Sequence, residues 1–267
     1  MPSPMTQTSI GALEMTLGRT SAAIAAAIVG AGLLAGCGES GDEDSAPPPA
    51  RGACEVVLDV TGHPGPDWSW DALKGSIDSI QQACADRIVT SALITDYSKS
   101  STCARVEEDT FVDVPNKYED ERKSAEAWKR FADKTRQLFL CGLYGDEAAD
   151  PSNATPIDFE GSDIFSATQA AQESLSAIAG PRSLFIFSDM VNSMPPLRVP
   201  SDGSVEKQVT KLQEKGVVPD LQGVDVVVVG SGTSNEISPA KQSAIVRFWT
   251  AYFQAAGASS VKFQQTA

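Results

Sequence analysis

Short, continuously apolar runs alternate along this chain with longer stretches in which apolar residues recur every third or fourth position, a pattern that predicts strands interleaved with helices. Residues 54–60, Cys54-Glu55-Val56-Val57-Leu58-Asp59-Val60, read as a buried strand running into a Gly- and Pro-rich loop at 62–66. Over 70–85 the apolar positions Leu73, Ile77, Ile80 and Cys84 have helical spacing. Residues 88–95 give a second buried strand, and 104–114 alternate as an edge strand does. An amphipathic helix follows over 118–140, with Trp128, Phe131, Leu138 and Phe139 on its apolar side. Beyond a loop at 142–161, the pattern gives a helix over 163–178, a strand over 183–187 and a helix over 205–215 capped by Gly216. A strand over 224–229, an amphipathic helix over 239–256 and a short strand at 260–263 complete the series. Strands alternating with helices of about ten residues or more predict an α/β fold with a parallel sheet covered on both faces.

The first 53 residues follow a different pattern. Arg19 precedes an almost unbroken Ala, Ile, Val, Leu and Gly run over 22–34, which ends in Leu34-Ala35-Gly36-Cys37, the order of an export signal. The run is shorter than the ~20 residues that span a bilayer, and a start at Met15 would make the signal tidier. The segment resembles the lipobox of bacterial lipoproteins. That resemblance implies a signal peptide over 1–36, acylation of Cys37 and a mature protein beginning there; the alternative is a buried Ala-rich helix that ends in cysteine. Residues 38–53 hold Gly, Ser, Glu, Asp and Pro and no aliphatic side chain larger than Ala. They bury too little to offset ordering entropy, so 37–53 is expected to be a lipidated disordered linker. Acyl chains at ~0.8 kcal/mol per buried methylene hold such a protein on a bilayer. Localisation is then the bacterial cell envelope. Gly38, by resemblance to enterobacterial lipoproteins, permits transfer to the outer membrane where the host has two membranes.

Residues 54–267 suit one domain with one sizeable core. A formal net charge of −14 argues against nucleic acid and against electrostatic docking on anionic lipid, which leaves the acyl anchor as the membrane contact. Of the five cysteines, Cys54, Cys84, Cys103 and Cys141 remain after Cys37. An even number in an exported chain predicts two disulfides, and spacing alone does not choose among the three connectivities. The one histidine is His63, no nucleophile elbow is present, and the cysteines are expected to be paired, so the chain does not read as an enzyme. Gly230-Ser231-Gly232 lacks the third glycine and the lysine of a phosphate loop. Asn153-Ala154-Thr155 matches a glycosylation acceptor, which has no consequence in a bacterium.

Asp59 ends the first strand and Asp189 follows the 183–187 strand. In open α/β sheets ligands sit outside the carboxyl ends of the strands where strand order reverses, and two carboxylates meeting there repel unless a cation or proton lies between them. Asp59-Val60-Thr61-Gly62-His63, Gly161-Ser162-Asp163-Ile164 and Phe187-Ser188-Asp189 together resemble the metal-ion-dependent adhesion site of von Willebrand factor A domains. That site uses Asp-x-Ser-x-Ser, a threonine and a later aspartate.

The resemblance covers 54–263 and implies a three-layer, doubly wound Rossmann-like fold, mostly parallel, with one antiparallel edge strand. It implies a divalent cation, Mg²⁺ or Mn²⁺, on Asp59, Thr61, Ser162 and Asp189, with an acidic residue of a protein partner completing the shell. His63 stands in place of the second serine; it is bulkier and a poor match for Mg²⁺, and Mn²⁺ or Zn²⁺ would tolerate it better. Without a cation, Asp59 and Asp189 would serve as acceptors for loop amides, and the chain would be a structural subunit of an envelope or secretion complex. By the same topology, Cys54 pairs with Cys84 and Cys103 with Cys141. Trp68 and Trp70, just beyond His63, are candidate anchors for a partner; their alternative role is to staple the first helix to the sheet.

Overall fold

In the computed structural model of the chain, the first strand, β1 (Gly52–Asp59), is buried along its whole length. Its side chains alternate with the period of two that a strand imposes: Ala53 and Val57 enter one apolar core, and Cys54, Val56 and Leu58 enter another. A strand with a core on each face belongs in the middle of a sheet. The order is β3-β2-β1-β4-β5-β6, with β2 (Arg87–Ile94), β3 (Val106–Asp109), β4 (Arg182–Phe187), β5 (Val224–Val229) and β6 (Ser260–Gln264). All pairs are parallel except β2 with β3, the antiparallel edge.

Helices α1 (Trp70–Ser79) and α2 (Lys117–Tyr144) cover one face through Leu73, Ile77, Trp128, Phe131 and Phe139. Helices α3 (Ile164–Ser176), α4 (Val205–Glu214) and α5 (Pro239–Ala255) cover the other. On that side Phe165 of α3 packs on Trp249 and Tyr252 of α5, with ring centroids 5.1 and 5.3 Å apart. The result is a doubly wound, Rossmann-like α/β architecture.

The structure describes residues 51–61, 69–110, 117–230 and 237–264, within the compact unit Pro48–Ala267. Residues 1–36, expected to be a signal peptide, Cys37, nearly all of the expected linker, His63 and Trp68 lie outside the described residues. Among those described, no helix is long and apolar enough to cross a membrane.

Several boundaries differ from the periodicity. β1 starts at Gly52 rather than Cys54, because Gly52 pairs with Arg87 and Ala53 N donates to Pro181 O at 2.9 Å. A Cβ at Gly52 would collide with that same Pro181 carbonyl, so glycine is required there. α1 stops at Ser79 rather than 85. The amides of Ile80 and Gln81 turn to carbonyls three residues back, and Asp86, at φ 59, reverses the chain into β2. α2 continues to Tyr144, and a 3₁₀ turn at Gly145–Ala149 occupies the start of the expected loop.

Disulfides join Cys54 to Cys84 and Cys103 to Cys141, the pairings that the family-like topology implies, with Cα separations of 5.7 and 6.0 Å. The first ties β1 to the turn after α1, and the second ties the approach to β3 to the last turn of α2. Two structural disulfides mark a protein of an oxidising, extracytoplasmic compartment.

Candidate functional site

The sheet order reverses between β1 and β4, and the register Leu58↔Phe187 brings the ends of these two strands side by side. Asp59 and the Ser188-Asp189 pair therefore emerge together at the crevice where such folds bind ligands. Asp59 is 4% exposed. Its Oδ2 accepts from Ser188 Oγ at 2.6 Å, and its Oδ1 accepts from Thr61 N at 3.0 Å and Thr61 Oγ1 at 2.6 Å. Thr61 Oγ1 also hydrogen-bonds Ser162 Oγ. Three of the four candidate ligands thus form one hydrogen-bonded string: Asp59, Thr61 and Ser162.

Asp189 completes the group. Its Oδ1 accepts from Val191 N at 2.8 Å, and its Oδ2 has no partner among the described residues. Burial, and then the neighbouring Asp189 carboxylate, push the Asp59 carboxyl from its usual 3.8 up to about 7, against the hydrogen bonds from Ser188 and Thr61. Burial also raises Asp189.

Ser162 is placed by the loops on either side of it. Its N–H donates to Ser193 Oγ at 2.9 Å, and its carbonyl accepts from Ser193 N at 3.2 Å. Asp163 N donates to Thr95 O at 2.8 Å, Ser98 Oγ donates to Asp163 O at 2.8 Å, and the Asp163 side chain caps α3 through Ser166 N. Asn192, buried, accepts from Ile164 N at 2.8 Å and donates to Met194 O and Leu197 O, which shapes the loop after Asp189. The ends of β1, β2 and β4 and the start of α3 are thereby bound into one rim.

A second buried carboxylate lies on the same face of β1. Glu55, 0% exposed, pairs with the Arg105 guanidinium and with Thr90 Oγ1. Burial, opposed by Arg105, sets its pKa at about 7. Glu55 thus has a guanidinium partner, and the hydrogen bonds described above for Asp59 and Asp189 come from hydroxyls and amides.

Trp70 opens α1 half-buried, its ring 6.0 Å from Phe139 of α2 in the core under α1 and α2. Ser188, Ser193, Asn192 and Glu55 carry no role in the sequence pattern. For Glu55 the visible sign is an acid inside Cys54-Glu55-Val56-Val57-Leu58, and for Ser188 it is a hydroxyl one residue before Asp189.

Among the described residues, no group of three or more His, Cys, Asp or Glu gathers as a metal centre. The cluster at the switch point is two carboxylates with two hydroxyls, an oxygen-only donor set that fits a hard divalent cation and not a soft one.

No protein-family model matches the chain, and no curated protein matches it. Among solved structures it is similar to the pilus adhesin SpaC from Lactobacillus rhamnosus GG in its open conformation, at a TM-score of 0.40 and 9% identity. The match covers 80% of this chain and 28% of the adhesin's. A likeness at that level transfers no function.

Proposed function

We propose that this chain is a bacterial envelope lipoprotein, anchored through Cys37, whose von Willebrand factor A-like domain binds a protein partner through a divalent cation at Asp59 and Asp189. The observation that carries this reading is the carboxylate pair. Two buried acids side by side at a switch point, both held above their usual pKa, form an electrostatic deficit that a cation relieves. Thr61 and Ser162 would add neutral oxygens to the two carboxylates. When bound, Mg²⁺ or Mn²⁺ supplies an acceptor for a carboxylate of the partner. Ser188 and Thr61 orient Asp59, Ser193 holds the Ser162 backbone, and Val191 N–H holds Asp189 through Oδ1. β1 runs from Gly52 to Asp59, so about 23 Å of strand separates its first residue from the site.

Calorimetric titration of the domain with Mg²⁺, Mn²⁺ and Ca²⁺ tests the metal. Saturable heat is expected for wild type and not for Asp59→Ala or Asp189→Ala, and a flat wild-type trace would rule the cation out.

One observation favours a metal-free structural role instead. Both oxygens of Asp59 are hydrogen-bonded, and with a pKa of about 7 a proton would also quench the repulsion from Asp189. Partner capture from envelope extract with and without chelator separates the two: capture that survives chelator supports the structural subunit.

A further inference from the structure

Asp189 is aimed by the residue that follows it. Met190 is buried at 0% exposure and holds φ 65, a left-handed conformation that residues other than glycine rarely adopt without restraint. The restraint acts at both ends of the residue. Met190 N donates to Ser188 Oγ at 2.9 Å, and Met190 O accepts from Trp249 Nε1 at 2.8 Å. The next amide, Val191 N, is the one that binds Asp189 Oδ1.

Trp249 is itself immobilised: it is 0% exposed, with ring centroids of Phe165, Tyr252 and Phe248 at 5.1, 5.1 and 5.2 Å. Ser188 Oγ, at the other end, also donates to Asp59 Oδ2. A continuous path therefore runs from the aromatic core of α5 through Met190 to both carboxylates.

We infer that Trp249 and Ser188 are positioning residues, a brace that locks Met190 in its left-handed conformation and so fixes the Asp189 carboxylate relative to Asp59. The inference rests on the cation-binding reading for its functional meaning, but the brace itself has a metal-free readout. Trp249 is fully buried and acts through the Met190 carbonyl. Trp249→Phe keeps an aromatic ring in the core and deletes the N–H.

The test is amide hydrogen exchange of Val191 in chelator together with Mn²⁺ titration, on wild type, Trp249→Phe, Ser188→Ala and the control Leu175→Ala. Leu175, 1% exposed in the same core, lies near the far end of α3 from Ser162. Losing one hydrogen bond of the brace is expected to speed Val191 exchange about tenfold and to weaken Mn²⁺ binding by a similar factor. Leu175→Ala should lower the melting temperature and leave both values within twofold of wild type. If wild type shows no Mn²⁺ heat, the cation reading fails while the exchange data still judge the brace. Should Trp249→Phe not fold, Ser188→Ala tests the same lock from its other end. Val191 exchange at the wild-type rate in whichever of the two variants folds, or equal acceleration in Leu175→Ala, overturns the inference.

Discussion

Ser162 and Ser193 bind each other reciprocally: Ser162 N–H donates to Ser193 Oγ at 2.9 Å, and Ser193 N–H donates to Ser162 O at 3.2 Å. This pair joins the loop before α3 to the loop after β4, and so brings a candidate ligand hydroxyl to the two carboxylates. The contact leaves no room beside it. A Cβ on Gly161 would run into Ser193 Oγ and lie 3.3 Å from Met194 Sδ. Gly161→Ala should therefore cost about 1–3 kcal/mol in urea unfolding, the usual penalty of overpacking. It should also weaken Mn²⁺ binding, because Ser193 has to leave Ser162. A variant as stable as wild type would show that the two loops give way freely.

The two disulfides close loops with sequence separations of 30 and 38 residues. Loops of that length are each worth about 3–4 kcal/mol in the chain-entropy description. Replacing Cys54 and Cys84 by Ala, or Cys103 and Cys141, should lower unfolding free energy by about that amount in each case. The Cys54/Cys84 variant should lose more, because both sulfurs lie at 0% exposure in the α1/α2 core. Urea melts under non-reducing conditions measure both, and equal losses would show that the buried packing around the first bridge adds nothing.

Asp59→Asn removes a charge that burial and Asp189 both disfavour. In chelator above pH 7 the variant should be more stable than wild type by about 1–2 kcal/mol, as expected when one of two neighbouring buried carboxylates is neutralised. It should lose saturable Mn²⁺ binding at the same time. Stability and binding moving in opposite directions is the signature of a site that carries strain for function. Thermal melts with chelator and with Mn²⁺ give both values, and a destabilised Asn variant in chelator would mean that hydrogen bonding at Asp59 outweighs its charge.

The sheet was legible because its strands are short apolar runs and its helices carry a period near 3.6: Val56-Val57-Leu58 and Val226-Val227-Val228 are central strands in the pattern and in the fold. Asp59 and Asp189 were legible because each sits at a strand end, where topology alone makes neighbours of residues 130 apart. Element ends were less so. The stop of α1 at Ser79 is set by the turn geometry around Asp86, which leaves no mark on the spacing of Ile80 and Cys84. The supports of the site were not legible at all. Trp249 reads as one more apolar position of an amphipathic helix, and only tertiary packing delivers its N–H to the Met190 carbonyl.

Glu55 and Arg105 give the domain a pH dependence of definite sign. The folded Glu55 carboxyl sits at about 7 against a usual 4.5, so between those values the native state holds a proton that the unfolded chain has released. Stability from this group is therefore complete below pH 4.5 and declines as pH rises through 7, by about 3 kcal/mol in all. Glu55→Gln should flatten the fall in unfolding free energy between pH 5 and 8 by roughly that amount. Arg105→Met should act in the opposite sense. With its cation gone, the buried carboxylate is most costly when ionised, so the loss should be largest at pH 8 and should fade below pH 5. The Arg105 side chain is 39% exposed, and solvent screening holds its worth to about 2 kcal/mol rather than the full value of a buried pair. Urea unfolding in chelator across this range decides the matter: a Glu55→Gln curve running parallel to wild type would assign the slope to Asp59, whose shift has the same sign.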